Sequence, residues 1–239
     1  MDRLRFDHVL LIVIFGLGPT RLLGMFAGSL FTGPRLPTSD SGPNLVLVVL
    51  IALAVHTTFL IGAVYLVAIR RRGLSWRDLG LRPIPAGWTL RAVGATLIAF
   101  PMVAGVNLAI QTLLLEAPQH NPQFDVIAPG GFSWSALVGM LIVAGVIVPF
   151  AEELFFRGLL YGWLRRRIGA WLAALASALF FSLLHNILWL VPALTVLGVI
   201  LARVYEKSGS LWAVMVTHGL FNAVTVVVIY VLLGLGVEL

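Results

Sequence analysis

Residues 134–163 read WSALVGMLIVAGVIVPFAEELFFRGLLYGW. A run this long and apolar exceeds the roughly 20 residues that cross a hydrocarbon core, so it reads as a membrane helix. Its only charges are Glu152, Glu153 and Arg157. On lenient insertion scales each charge at a helix centre costs about 2.5–3.5 kcal/mol, which marks the cluster as a functional site by default. Pro149 stands three residues before Glu152. Lacking an N–H, it leaves a carbonyl of the preceding turn without its helical partner and bends the axis, a place where backbone and water can meet.

The rest of the chain has the same character. Of 239 residues, 60% are hydrophobic and 11% charged, with mean hydropathy +1.02; soluble domains carry about 25% charged residues. Apolar runs predict spans near 8–31, 44–69, 88–115, 134–163, 169–187, 191–205 and 211–236. The expected fold class is therefore all-α: a polytopic membrane helix bundle of about seven (seven to eight) helices forming one integral domain over 1–239. The first run follows a charged start and is interrupted by Pro19 and Arg21. It reads as a retained helix, not a cleaved signal peptide. There is no cysteine, so disulfides, thiolate metal sites and cysteine nucleophiles are excluded.

The net charge of +6 reflects topology. With the N-terminus inside, the inner segments hold Arg3, Arg5, Arg70, Arg71, Arg72, Arg77, Arg82, Arg91, Arg165, Arg166, Arg167, Arg203 and Lys207, thirteen of the sixteen basic residues. Such a bias assigns N-in and, with seven spans, C-out. Membrane lipid is the partner this implies, and nucleic acid is not. The loop RRRGLSWRDLGLRP (70–83) can form a short amphipathic surface helix or serve as a solvated connector. Residues 116–133, with three prolines and two glycines, form an outer cap without regular strands.

Three pieces on three runs carry polar chemistry: Glu152, Glu153 and Arg157 (EExxxR), Phe181 and His185 (FxxxH), and His218 and Asn222 (HxxxN). Residues at i and i+4 share a helix face, so each piece can present one face to a common cavity. Glu153 and Arg157 are also i and i+4 and can pair, leaving Glu152 about 100° round the helix to face something else. A carboxylate, two imidazoles and an amide can hold a divalent metal, zinc first among them, whose bound water becomes a nucleophile near neutral pH. In that scheme the ligands are Glu152, His185, His218 and Asn222. Without metal, Glu152 with His185 can act as general base on water while His218 and Asn222 donate to the oxyanion.

At these residues the sequence resembles the CAAX prenyl endopeptidase and bacteriocin-processing (CPBP, or Abi) family of intramembrane proteases. The resemblance covers about 134–228, with all three motifs in order, and the DLGLRP loop resembles the segment that precedes that core. It implies an endopeptidase acting near the C-terminus of a membrane-associated, in some members prenylated, substrate. It further implies Glu152 as catalytic carboxylate with His185 on the water, His218 and Asn222 on metal or oxyanion, and Glu153 with Arg157 organising the site. Both metal-dependent and metal-free glutamate mechanisms belong to that expectation. In a bacterial or archaeal host the location is the cytoplasmic membrane.

Phe155, Phe156 and Phe181 are expected as cavity walls, with Asn107 on the third span as a further lining residue. His56 and His8 stand alone and read as structural or interfacial, and His120 as solvated on the outer cap. Two alternatives are a transporter or proton-coupled channel built on the Glu/His cluster, and a non-catalytic membrane scaffold or immunity protein. No inverted repeat of the kind many transporters carry is evident.

Overall fold

The computed structural model describes residues 1, 3–31, 42–115 and 119–237, with side chains from 20–31 and 42–44 left aside. Arg21 and Arg35 lie outside the described side chains. Helix α1 runs Phe6–Phe31; α2, Gly42–Val64, continues as a wider, π-type coil through Tyr65–Arg71; α3 is Trp88–Leu113; and α4 is the short Pro122–Ile127. One rod then passes through α5 (Trp134–Ile142), a wide coil Val143–Ile147, α6 (Val148–Glu153), a second wide coil Leu154–Tyr161, and α7 (Gly162–Leu183). After a 3₁₀ turn at Leu188–Leu190 come α8 (Val191–Ser208) and α9 (Leu211–Gly234). No strand occurs among the described residues.

Five helices among the described residues are long and apolar enough to cross a membrane, and the longest runs Trp134–Leu183. That rod is two passes. Gly169 interrupts it at φ 79°, ψ 167°, a conformation essentially reserved for glycine. An unbroken helix would set Phe156 and Phe181 about 37 Å apart at 1.5 Å per residue. Their ring centroids are instead 5.1 Å apart, so the chain reverses at Gly169 and the fourth and fifth expected spans lie side by side.

The helices pack as membrane helices do, with small residues inward and large ones out. On α7, Ala173, Ala174, Ser177 and Ala178 are buried, while Leu172, Leu175, Leu179 and Leu183 are exposed. The inward stripe meets Gly198 and Ala202 of α8, where the backbones approach so closely that a Cβ on Gly198 would lie 2.7 Å from that of Ala178. Burial of the other helices places the common core around Leu154, Phe155, Leu159, Leu201 and Val214, all fully enclosed.

The basic segments converge at one end of the bundle. Arg3 donates to the Gly73 carbonyl, Arg72 to that of Arg3 and Arg167 to that of Leu4, while Arg165 forks onto Glu206. Residues that the charge bias assigns to one side of the membrane thus share one side of the structure. The loop after Arg71 forms no surface helix. Gly73 and Gly80 adopt φ of 65° and 93°, and Ser75 and Asp78 close a turn through the Ser75 N–H and hydroxyl on the Asp78 carboxylate, both at 2.8 Å. Those two donors hold the Asp78 carboxyl below its ordinary range. The loop is also no mere solvated connector: Leu79 is fully buried, the Tyr205 hydroxyl donates to its carbonyl, and the Leu211 N–H donates to the carbonyl of Gly80. It plugs the basic end.

At the opposite end the expected cap contains a helical turn. The Asn121 side chain accepts the Gln123 N–H at 3.0 Å to start α4, and the Tyr230 hydroxyl of α9 donates to the Ile127 carbonyl that ends it.

Candidate active site

Glu153 sits at the centre of a buried brace. Its Oε1 accepts Arg157 at 2.8 Å and His218 Nδ1 at 2.7 Å, and the second Arg157 nitrogen donates to the Gly198 carbonyl at 3.1 Å. Glu153 and Arg157 are 0% and 1% exposed. The guanidinium also lies 5.1 Å from the Phe181 ring centroid, within cation–π range. One ion pair thereby ties the EExxxR helix to α7, α8 and α9. Breaking such a pair leaves an uncompensated charge, at a typical cost of about 3–5 kcal/mol.

The brace also fixes the His218 tautomer. A carboxylate paired with arginine accepts hydrogen bonds and does not donate them, so Nδ1 carries the proton and Nε2 of the neutral ring keeps its lone pair. That Nε2 stands 3.8 Å from Glu152 Oε2, too far for a direct hydrogen bond. An oxygen atom about 2.8 Å from both would subtend an angle near 85°, so the pair is spaced to share one water or hydroxyl. Glu152 retains 15% side-chain exposure and faces the cavity, unlike its enclosed neighbour.

His185 comes from the end of α7, one residue before Asn186 turns the chain with φ 61°. Its Nδ1 lies 2.9 Å from the Phe181 carbonyl. A carbonyl accepts only, so Nδ1 donates and Nε2 of the neutral ring is the lone-pair nitrogen. Phe181 is the spacer between the histidines: its centroid is 4.8 Å from His185 and 5.9 Å from His218. The Phe181 and His185 motif thus meets the other two around one ring.

Asn222 has a backbone task that follows from Pro149. Within the wide coil, the Val148 N–H reaches back five residues to Val143; the next bond in that register would run from residue 149 to Ala144, but proline has no N–H. The Asn222 amide nitrogen takes over, donating to the Ala144 carbonyl at 2.9 Å. Helix α9 can come this near because Gly219 faces Gly145, where any Cβ on Gly219 would lie 2.4 Å from the Gly145 oxygen.

Glu152, His185, His218 and Asn222 all line a cavity of about 570 Å³. Phe156 and Phe181 form its aromatic wall. Phe155 does not: it is fully buried behind Phe156, edge-on at 4.9 Å. Asn107 is also outside the lining, its Oδ1 enclosed without a hydrogen-bond partner among the described residues. Two polar lining residues were not singled out by sequence, Gln123 of α4 and Thr225 of α9, and a third, His56 of α2, was read there as structural or interfacial. For His56 the available signal was only a polar residue in an apolar span; Thr225 lies three residues beyond Asn222, on the same face.

The metal scheme finds no ready-made site. Among the described residues no group of three or more His, Asp or Glu side chains is placed to hold an ion. The atoms that would hold an ion are a Glu152 oxygen, Nε2 of His185 and of His218, and Asn222 Oδ1, all on residues of the cavity lining. The steps below use side chains alone.

A family model described as type II CAAX prenyl endopeptidase Rce1-like matches residues 133–224, the stretch that holds every polar residue of this site except His56 and Gln123 at its rim, together with Thr225. Over this segment the chain is similar to the Rce1-like family. A putative membrane peptidase of Bacillus subtilis (strain 168), YdiL, is 27% identical over 88 residues, 37% of this chain and 36% of its own. An uncharacterized protein of the same organism, YpbD, is 34% identical over 128 residues, 50% of this chain and 64% of its own. The matches thus span about a third of the first relative and just under two thirds of the second. No solved structure matches the chain significantly. With its apolar helices and Rce1-like segment, the chain is an integral, multi-pass membrane protein.

Proposed function

We propose that the protein is an intramembrane endopeptidase of the CAAX-protease type that cleaves near the C-terminus of a membrane-associated peptide, using water activated by Glu152. The observation that carries this reading is the pairing of a cavity-facing Glu152 with the lone-pair nitrogen of His218, 3.8 Å apart, in a cavity enclosed by membrane helices. Glu152 takes a proton from a water that His218 Nε2 orients, and the oxygen attacks the peptide carbonyl carbon. In this reading the second N–H of Asn222, whose first is held by Ala144, stabilises the oxyanion. The carbon–nitrogen bond then breaks as Glu152 returns its proton to the leaving amine. General-base action of this kind contributes about 10²–10⁴-fold.

Division of labour between the histidines departs from the residue pattern alone. There Glu152 was matched with His185, and His218 with metal or the oxyanion. Here His218 is assigned to the water, because its Nδ1 is engaged by Glu153 and its Nε2 lies nearest Glu152.

Purified protein should cleave members of a membrane-anchored peptide library with defined C-termini, prenylated and unprenylated, with products read by mass spectrometry. No cleavage of any member, alongside Glu152-dependent ion flux in liposomes, would replace the peptidase with the transporter alternative. Metal analysis of the active protein, with chelation and re-addition, separates a metal-assisted from a side-chain mechanism.

A further inference from the structure

His56 of α2 lines the cavity and has no part in the chemistry above. It is the one ionisable side chain in the sequence of α2, and an ionisable group within a membrane span reads as functional by default. The two threonines that follow it turn their hydroxyls onto their own helix, Thr57 to the Leu53 carbonyl and Thr58 to that of Ala54. His56 shares with Ala52 and Leu53 the face that borders the cavity, the i, i+3, i+4 spacing of one helical stripe.

Its position relative to Glu152 follows from helix register. Helix α2 packs along the rod of α5 and α6, and both run in the same direction, toward Arg70–Arg72 and Arg165–Arg167. Leu50 lies against Gly139, where an added Cβ would be 3.0 Å from the leucine side chain. Counting on equally from that contact, His56 is level with Gly145. Glu152 is then seven residues further along the rod, about 10 Å at 1.5 Å per residue. An extended peptide covers that distance in about three residues at about 3.3 Å each. Near the level of His56 the cavity is bordered by Leu53, Met140, Ala144 and Thr225, which accept small or apolar side chains.

We propose that His56 binds the C-terminal carboxylate of the peptide. With the scissile carbonyl at Glu152 and His218, the leaving segment runs along the wall that holds Asn222 and Thr225, and its terminus meets the imidazole. An imidazole N–H on a carboxylate makes a charge-assisted hydrogen bond, stronger than one to a neutral amide, and more so in a cavity shielded from bulk water. His56 thus selects chain ends over internal segments and sets how far from the end the cut falls. That the bound carboxylate ends a leaving segment rests on the peptidase reading; the carboxylate site itself does not.

The test uses matched pairs of membrane-anchored apolar peptides, identical except for a free C-terminal carboxylate or a C-terminal amide. Their binding in detergent is titrated on the native chain, His56→Gln and His56→Leu, with unfolding curves recorded alongside. The native chain is expected to bind carboxylate members about tenfold or more tightly than their amides. His56→Gln, whose side-chain N–H still donates, should keep part of that preference, and His56→Leu should bind both alike. Equal binding by the native chain in every pair would overturn the proposal whether or not the variants fold, and so would a preference that persists in folded His56→Leu. In turnover, His56→Leu should raise KM for carboxylate substrates with kcat little changed; a fall in kcat at unchanged KM would refute the binding role. Binding needs no cleavage, so a chain that prefers carboxylates and never cuts removes the peptidase reading and leaves the site at His56 in place.

Discussion

Glu152 and Glu153 are adjacent in sequence and opposite in circumstance. Glu153 is enclosed with Arg157 and His218, whereas Glu152 faces the cavity. The i, i+4 spacing made the ion pair legible, and the 100° step of the helix made the separate orientation of Glu152 legible. The hydrogen bond from His218 to Glu153 was not, because it depends on how α9 approaches from 65 residues away. Arg157→Met should lower unfolding stability by about 3–5 kcal/mol by stranding the Glu153 charge. Adding Glu153→Gln should recover part of that stability but not the activity, since an amide no longer dictates the His218 tautomer. Denaturant unfolding in micelles with a parallel cleavage assay checks both; additive destabilisation would show that the two side chains do not act as a pair.

At the scale of elements, the seven apolar runs read from hydropathy all reappear as helix, because a bilayer requires every spanning segment to satisfy its backbone internally. The details set by backbone contacts between helices were hidden. Pro149 announced a disturbed turn, yet only the structure shows a wide coil before it and Asn222 on the Ala144 carbonyl. Asn222→Leu should therefore cost about 1–2 kcal/mol of stability beyond any loss of activity. In a Pro149→Ala background, where residue 149 regains an N–H for Ala144, that stability cost should shrink while activity stays lost. An undiminished cost would mean that Asn222 supports the fold by another route. Gly219→Ala drives a methyl into the Gly145 carbonyl, and a loss of about 1–3 kcal/mol with impaired cleavage is expected; unchanged melting would show that the two helices are less closely apposed. The 70–83 loop is neither the amphipathic surface helix nor the solvated connector that its sequence allowed, because Gly73 and Gly80 take left-handed conformations and Leu79 is buried in the bundle.

Across the whole molecule, charge and hydropathy carried the topology, since thirteen of sixteen basic residues fall in segments that the structure gathers at one end. The course of the cavity was not readable. Its wall runs from Glu152 to α4, at the end opposite the basic residues. A C-terminal reporter that matures only outside the cytoplasm should be active, and one that matures only inside should be silent; the reverse would remove the N-in assignment. The central claim is that three distant helices assemble one water-activating site around Glu152. Its most direct test is the single-turnover cleavage rate of Glu152→Gln against the native chain, on a substrate found in the library and with matched unfolding curves. A fall of about 10²-fold or more with the fold intact is expected, and cleavage at the native rate would contradict the account.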